Sequence, residues 1–177
     1  MFNIHMLPAS FGDCLLIEYG EKENIKYILV DGGPSYQFDE IYECLKEKVP
    51  EMKTIDLLIV THIDIDHIDG IIRLLNHEPA LYEVKNIWFN DYKDLHYEEL
   101  PLDIQGGVQG EFLSILSKQK ELNKNEKPIT IHRDSSEIKF DDDMHIIIIN
   151  PTQARLQKLG KAWDEHLEKK GLSHDDK

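Results

Sequence analysis

The sequence predicts a layered α/β domain, and three observations carry that expectation. Short apolar runs suited to strands alternate along the chain with segments of helical period. One run, Ile55–Val60 (IDLLIV), is nearly all apolar and too short for a typical helix, so it reads as a strand covered on both faces. Apolar residues make up 41 % of the 177, enough for a real core and against a disordered chain. The length fits one compact domain.

The elements follow in order. Phe2–Leu7 reads as a strand. Cys14–Tyr19 (CLLIEY) and Ile25–Val30 (IKYILV) read as a hairpin around Gly20–Asn24. Asp31-Gly32-Gly33-Pro34 then breaks the chain. Phe38, Ile41, Tyr42, Leu45 and Val49 keep helical spacing, closed by Pro50. The IDLLIV strand leads into a polar stretch, Thr61–Asp66, and then a short helix, Ile68–Leu75, with Asp66 near its start. Val84–Phe89 is another strand, and Gly106 to Gly110 a loop before a helix through Phe112, Leu113, Ile115 and Leu116. Ile129–His132 suits a short strand. Met144–Ile149 reads as a second buried strand, ended by Asn150-Pro151. Leu156, Leu159, Trp163 and Leu167 mark an amphipathic helix, and Gly171–Lys177 is a polar tail.

Composition narrows the function classes. With 20 Lys+Arg against 34 Asp+Glu the formal charge is −14. That argues against non-specific binding to nucleic acid or anionic membranes, which needs a basic face. It leaves room for a local basic pocket or for a nucleotide substrate held through metal ions. Cys14 and Cys44 form neither a C-x-x-C pair nor a disulfide framework, so a cysteine-based zinc site is not expected. There is no charged N-terminal region followed by an apolar run and no stretch near 18 apolar residues, which points to a soluble, cytoplasmic protein without a membrane partner.

The chemistry concentrates in Thr61-His62-Ile63-Asp64-Ile65-Asp66-His67-Ile68-Asp69-Gly70. Four potential ligands fall within six residues, directly after the buried strand. Alternation in an extended turn puts His62 and Asp64 on one side, and Asp66 and His67 sit where the chain turns into a helix. Imidazole and carboxylate suit zinc, manganese or iron. Two such clusters could hold one or two ions that acidify a water and clamp charge developing on a carbonyl or phosphoryl group. The bland alternative is a solvated acidic loop in which Asp66 merely caps the helix. An EF-hand is excluded: counted from Asp64, positions 5, 6 and 12 are Ile68, Asp69 and Leu75, where an acid, Gly and Glu are needed.

At these residues the sequence resembles the metallo-β-lactamase superfamily, whose hallmark is T-H-x-H-x-D-H-x-G after a buried strand. The family's second His is Asp64 here. The resulting H-x-D-x-D-H form resembles the metallo-β-lactamase domain of competence DNA-uptake proteins and their free-standing relatives. The opening Pro8-Ala9-Ser10-Phe11-Gly12-Asp13-Cys14 and the run Tyr27–Gly33 (YILVDGG) match further family motifs, and the motifs together span residues 5–76. Beyond residue 80 the similarity thins to Trp88-Phe89-Asn90, Val108-Gln109-Gly110-Glu111 and Asn150-Pro151-Thr152.

The resemblance implies an αββα sandwich and a metal-dependent hydrolase. It implies that His62 and Asp64 bind a first metal, Asp66 and His67 a second, with Zn2+ favoured over Mn2+ or Fe. Asp66 would also position or deprotonate the attacking water, and Asp31 would support the loop by hydrogen bonding. Asp13 is placed at the site edge, with a plain turn as the equal alternative. The substrate would be a small molecule or a phosphodiester. The family's later motifs have no clear counterpart after residue 80. His132, His145 and His174 are possible ligands by type only; His145 better suits a buried or strand-edge position and His174 a solvated tail, while Asn90 and His96, which follow a strand, could line the cleft, although surface loop residues are the commoner case. The expected domain, residues 1–177, is therefore the N-terminal part of the sandwich, truncated on its C-terminal side, or else naturally degenerate. Its exposed inner sheet would call for a homodimer or for the missing C-terminal half. The competing function is a non-catalytic domain used for recognition or sensing in a larger defence or signalling system.

Overall fold

A computed structural model describes residues 1–90, 107–123, 137–169 and 171. Five strands form one sheet in sequence order: β1 (Phe2–Met6), β2 (Leu15–Glu21), β3 (Asn24–Val30), β4 (Thr54–Ile59) and β5 (Glu83–Trp88). The first three are antiparallel neighbours, while β3, β4 and β5 run parallel. The parallel connections are helical: α1 (Phe38–Lys48) precedes β4, and α2 (Ile65–Leu75) precedes β5. After β5 come α3 (Gly107–Gln119), the strands β6 (Glu137–Lys139) and β7 (His145–Ile147), and α4 (Gln153–Lys169).

The period-2 alternation of each strand sorts its side chains onto two apolar clusters. On one face, Leu16, Leu29, Leu58, Ile87 and Phe89 join buried residues from all four helices. On the other, Tyr19, Ile28, Leu57 and Trp88 are covered by the antiparallel β6–β7 ribbon through Ile138, Phe140, Met144, Ile146 and Ile148. Helices, sheet and ribbon make three layers, a mixed α/β arrangement consistent with part of the αββα sandwich. Helix α2 shows the logic. Ile68, Ile71, Leu74 and Leu75 recur at helical spacing and are all buried. Each contributes about 1.5–3 kcal/mol of apolar burial.

Four expectations are corrected. The β2–β3 turn is tighter than Gly20–Asn24: pairing runs out to Glu21 opposite Asn24, leaving Lys22-Glu23 as the turn. Helix α2 begins at Ile65, three residues before the apolar periodicity starts. The stretch expected as a loop to Gly110 is helical from Gly107, because Gly110 serves packing. A Cβ there would meet the Trp163 ring at 2.3 Å, so the missing side chain lets α4 press against α3. Finally, Met144–Ile149 is not a buried strand. Only His145–Ile147 pair, and alternate residues face outward, with Ile147 67 % and Ile149 81 % exposed. Nothing among the described residues covers the ribbon's outer face, so its β-branched run has only one packed side.

Phe2, Ile4 and Met6 of edge strand β1 are likewise exposed. Their register opposite Tyr19, Ile17 and Leu15 places them on the ribbon side of the sheet. The expected strand Ile129–His132 and the tail beyond Gly171 lie outside the described residues, as do His96, His132 and His174.

Candidate metal centre

The parallel strands end at one edge of the sheet. Register pairs Val30 with Ile59 and Ile59 with Trp88, so the next residues, Asp31, Val60 and Phe89, stand side by side. The backbone continues that alignment: Asp31 N–H donates to Ile59 and Val60 N–H to Trp88. Carboxyl ends of parallel strands are where open α/β sheets place their ligands.

A backbone clasp then locks the edge to α2. Gly32 N–H donates to the His67 carbonyl at 2.9 Å, and Gly70 N–H to the Gly33 carbonyl at 2.9 Å. The approach demands glycine. A Cβ on Gly70 would lie 1.9 Å from the Gly32 oxygen, and one on Gly32 would lie 2.5 Å from the Ile71 nitrogen. Gly12 meets α2 in the same way, its Cβ position 1.7 Å from the Asp66 oxygen. Asp31 adopts φ +57°, a left-handed conformation that aspartate tolerates better than most residues.

Asp31 is 1 % exposed and fully engaged. Its Oδ1 accepts from Thr61 N–H at 2.8 Å. Its Oδ2 accepts from the Thr61 hydroxyl at 2.6 Å and lies 3.0 Å from His67 Nδ1. The Thr61 hydroxyl in turn lies 2.9 Å from His62 Nδ1. Hydrogen-bond balance assigns the tautomers. An ionised carboxylate only accepts, so Thr61 donates to it and must accept from His62 Nδ1–H; His67 Nδ1–H donates to Asp31 directly. Both imidazoles therefore keep Nε2 as a free lone pair. Their rings pack at 3.8 Å between centroids.

Each Nε2 faces a carboxylate. His62 Nε2 lies 3.6 Å from Asp64 Oδ2, and His67 Nε2 lies 3.7 Å from Asp66 Oδ2. These gaps exceed hydrogen-bond length. They approach the separation of about 3.4 Å between two donors each about 2.1 Å from a tetrahedral ion. Asp64 is the N-cap residue of α2 by backbone position, yet its side chain makes no capping bond. Asp66 sits inside the first turn and is not the cap either. The bland expectation of a capping aspartate is thus not met. Asp13 adds a fourth carboxylate, 71 % exposed, with Oδ2 4.0 Å from His67 Nδ1. Among the described residues none of these four acids pairs with Lys or Arg, so a divalent cation would meet uncompensated negative charge.

Asp31, His62 and His67 each offer a ligand atom within 4.8 Å of one another, a group that could hold a metal ion. By position Asp31 qualifies, and it also accepts from Thr61 twice and lies within hydrogen-bond distance of His67, the pattern of a residue that orients ligands. Asp64 and Asp66 each approach one histidine but do not join that group of three; imidazole and carboxylate are donor types that suit a divalent ion. Thr61, which links His62 to Asp31, had no assigned role in the sequence reading; its place heading the T-H motif was the only signal. His145 is exposed on the ribbon and outside this group.

Beside His62 opens a cavity of about 230 Å3, floored by Val60, Phe89, Leu156 and Leu159 and bordered by Asn90, Asn150 and Arg155. Asn90 lines this cavity, where a plain surface-loop residue was the commoner expectation.

Helices packed on one face of a mixed sheet, with imidazoles and carboxylates gathered where its parallel strands end, make a layered α/β domain with a possible metal site. The sequence profile of the metallo-β-lactamase superfamily matches residues 7–150, and the chain belongs to that superfamily, whose members are typically metal-dependent hydrolases. Among curated proteins none matches the chain. Among the described residues no helix is long and apolar enough to cross a membrane.

Proposed function

We propose that this chain is a metal-dependent hydrolase domain whose centre uses His62 with Asp64 and His67 with Asp66, on a phosphodiester or small ester substrate. The observation that carries the reading is the pair of free Nε2 atoms, each facing a carboxylate oxygen at 3.6–3.7 Å. One or two ions held there, zinc being the favoured choice for nitrogen and oxygen donors, would supply an acidified water and stabilise developing charge. The chain's own residues do the rest. Asp31, directly for His67 and through Thr61 for His62, holds the two rings in orientation. Asp66, with a side chain 39 % exposed, is open enough to accept a proton from an attacking water. The free Cys14 and Cys44 suit a reducing compartment such as the cytoplasm.

The test is metal content by mass spectrometry together with hydrolysis of bis(4-nitrophenyl) phosphate, wild type against His67→Ala. The expected result is stoichiometric divalent metal and turnover in the wild type, with both lost in the variant. Equal metal in both proteins would remove the site. Little metal in the wild type, with no turnover, would favour the alternative, a recognition or sensing domain.

A further inference from the structure

The cavity beside His62 differs from the rest of the surface in charge. The chain carries 34 acids among 177 residues, yet among the described residues that line the cavity none is Asp or Glu. Asp64 and Asp66 of the candidate metal loop lie outside the lining, whereas His62 is part of it. Among the described lining residues the cation is Arg155, in the first turn of α4. That turn holds no acid, so the positive end of the helix dipole is not neutralised from within.

Arg155 is held in place. Its Nη1 donates to Asn150 Oδ1 at 2.9 Å, which uses one of five guanidinium donors and leaves the planar fork available. The backbone beneath is fixed as well: Arg155 N–H donates to the Thr152 carbonyl at 2.9 Å, and α4 is anchored by Trp163, fully buried and packed on Phe89. Phe89, Leu156 and Leu159 give the cavity an apolar floor. A cavity of about 150 Å3 accepts benzene, so one of about 230 Å3 takes a single ring with a substituent.

We propose that this cavity is a substrate subsite that takes a ring-sized apolar body bearing a phosphate or carboxylate, with Arg155 as the residue that selects for the anion. The proposal rests on the hydrolase reading for the word substrate; the binding it describes stands independently. In a chain of charge −14 the global field repels anions. A charge-assisted fork at the cavity mouth is what lets one enter beside the metal loop.

The test measures binding of phenyl phosphate, benzoate and neutral benzyl alcohol to the full chain by ligand-observed NMR, with zinc and after chelation, in wild type, Arg155→Ala and Arg155→Lys. The expected result is at least about a tenfold loss of affinity for the better anion in Arg155→Ala, from the removed charge-assisted bonds. The loss persists after chelation, Arg155→Lys recovers part of it, and benzyl alcohol binds all three proteins alike. The tighter of the two anions names the substituent. Because Arg155 is exposed, thermal unfolding of the variants should match that of the wild type. Equal anion binding in wild type and Arg155→Ala would overturn the proposal, as would a parallel loss for benzyl alcohol. Arg155-dependent binding in a protein that takes up no metal and hydrolyses nothing would keep the subsite and remove the hydrolase reading. Metal-dependent hydrolysis of anionic esters untouched by Arg155→Ala would do the reverse.

Discussion

The strand-end edge of the sheet and the ribbon layer on its face are held by different physics. At the carboxyl edge of the parallel strands, backbone meets backbone at glycines, and a buried carboxylate ties Thr61, His62 and His67 into one chain of hydrogen bonds. On the ribbon side, half-buried aliphatic side chains lie against Ile28, Leu57 and Trp88, with alternate residues facing outward. Its polar tie is Asp141, which accepts from the Tyr19 hydroxyl at 2.6 Å and from Lys26 at 2.8 Å. Apolar packing is non-directional and tolerates slippage, whereas a hydrogen-bonded network fixes orientation. Only the first region has the angular definition that a metal centre needs.

Removing the orienting carboxylate should break that contrast most strongly. Asp31→Asn leaves the ligands in place but puts an amide N–H where two donors converge, so the rings lose their fixed tautomer. Metal affinity, read by competition with a chromogenic chelator, is expected to fall by about 10–100-fold. An unchanged affinity would mean that Asp31 orients nothing.

Gly70→Ala tests the clasp. Its Cβ would overlap the Gly32 carbonyl, and backbone on both sides must move. The expected cost is about 1–3 kcal/mol in urea unfolding, with weakened metal binding in the folded protein. A neutral result would show that α2 can stand off the edge without loss.

Acid sharpens the comparison from the other side, with the smallest effect. Partial burial alone would raise the Asp141 carboxyl, but the bonds from Lys26 and Tyr19 outweigh it and hold the pKa below its ordinary value. A depressed folded value means that the contribution is full above about pH 4 and is lost as pH falls below it. Hydrogen exchange in β6–β7 should accelerate in that window before exchange in β3 and β4 does. Simultaneous acceleration would show that the ribbon and sheet open as one unit.

Much of the fold was legible because the signals were local. IDLLIV, the D-G-G-P break and the spacing of Phe38, Ile41 and Leu45 each report a short stretch of chain, and each element formed where expected. The candidate loop stood out for the same reason, four ligand-type residues within six, and of these His62 and His67 come together with Asp31. Legibility failed where residue meaning came from a distant partner. Gly110 looked like a loop signal because its reason, the Trp163 ring, lies 53 positions further on. Met144–Ile149 looked buried because an apolar run does not say how many of its faces are covered. Arg155 carried no signal, since its meaning comes from sharing a cavity with His62 across three elements.

The most direct measurement is a crystal structure of the chain grown with zinc, with anomalous diffraction collected above and below the zinc edge. The account predicts anomalous density contacting Nε2 of His62 or His67 together with the Asp64 or Asp66 carboxylate, while Asp31 stays on Thr61 and His67. It is contradicted if those side chains carry no anomalous density at saturating zinc, or if the ion is held by Asp31 with Asp64 and Asp66 turned to solvent.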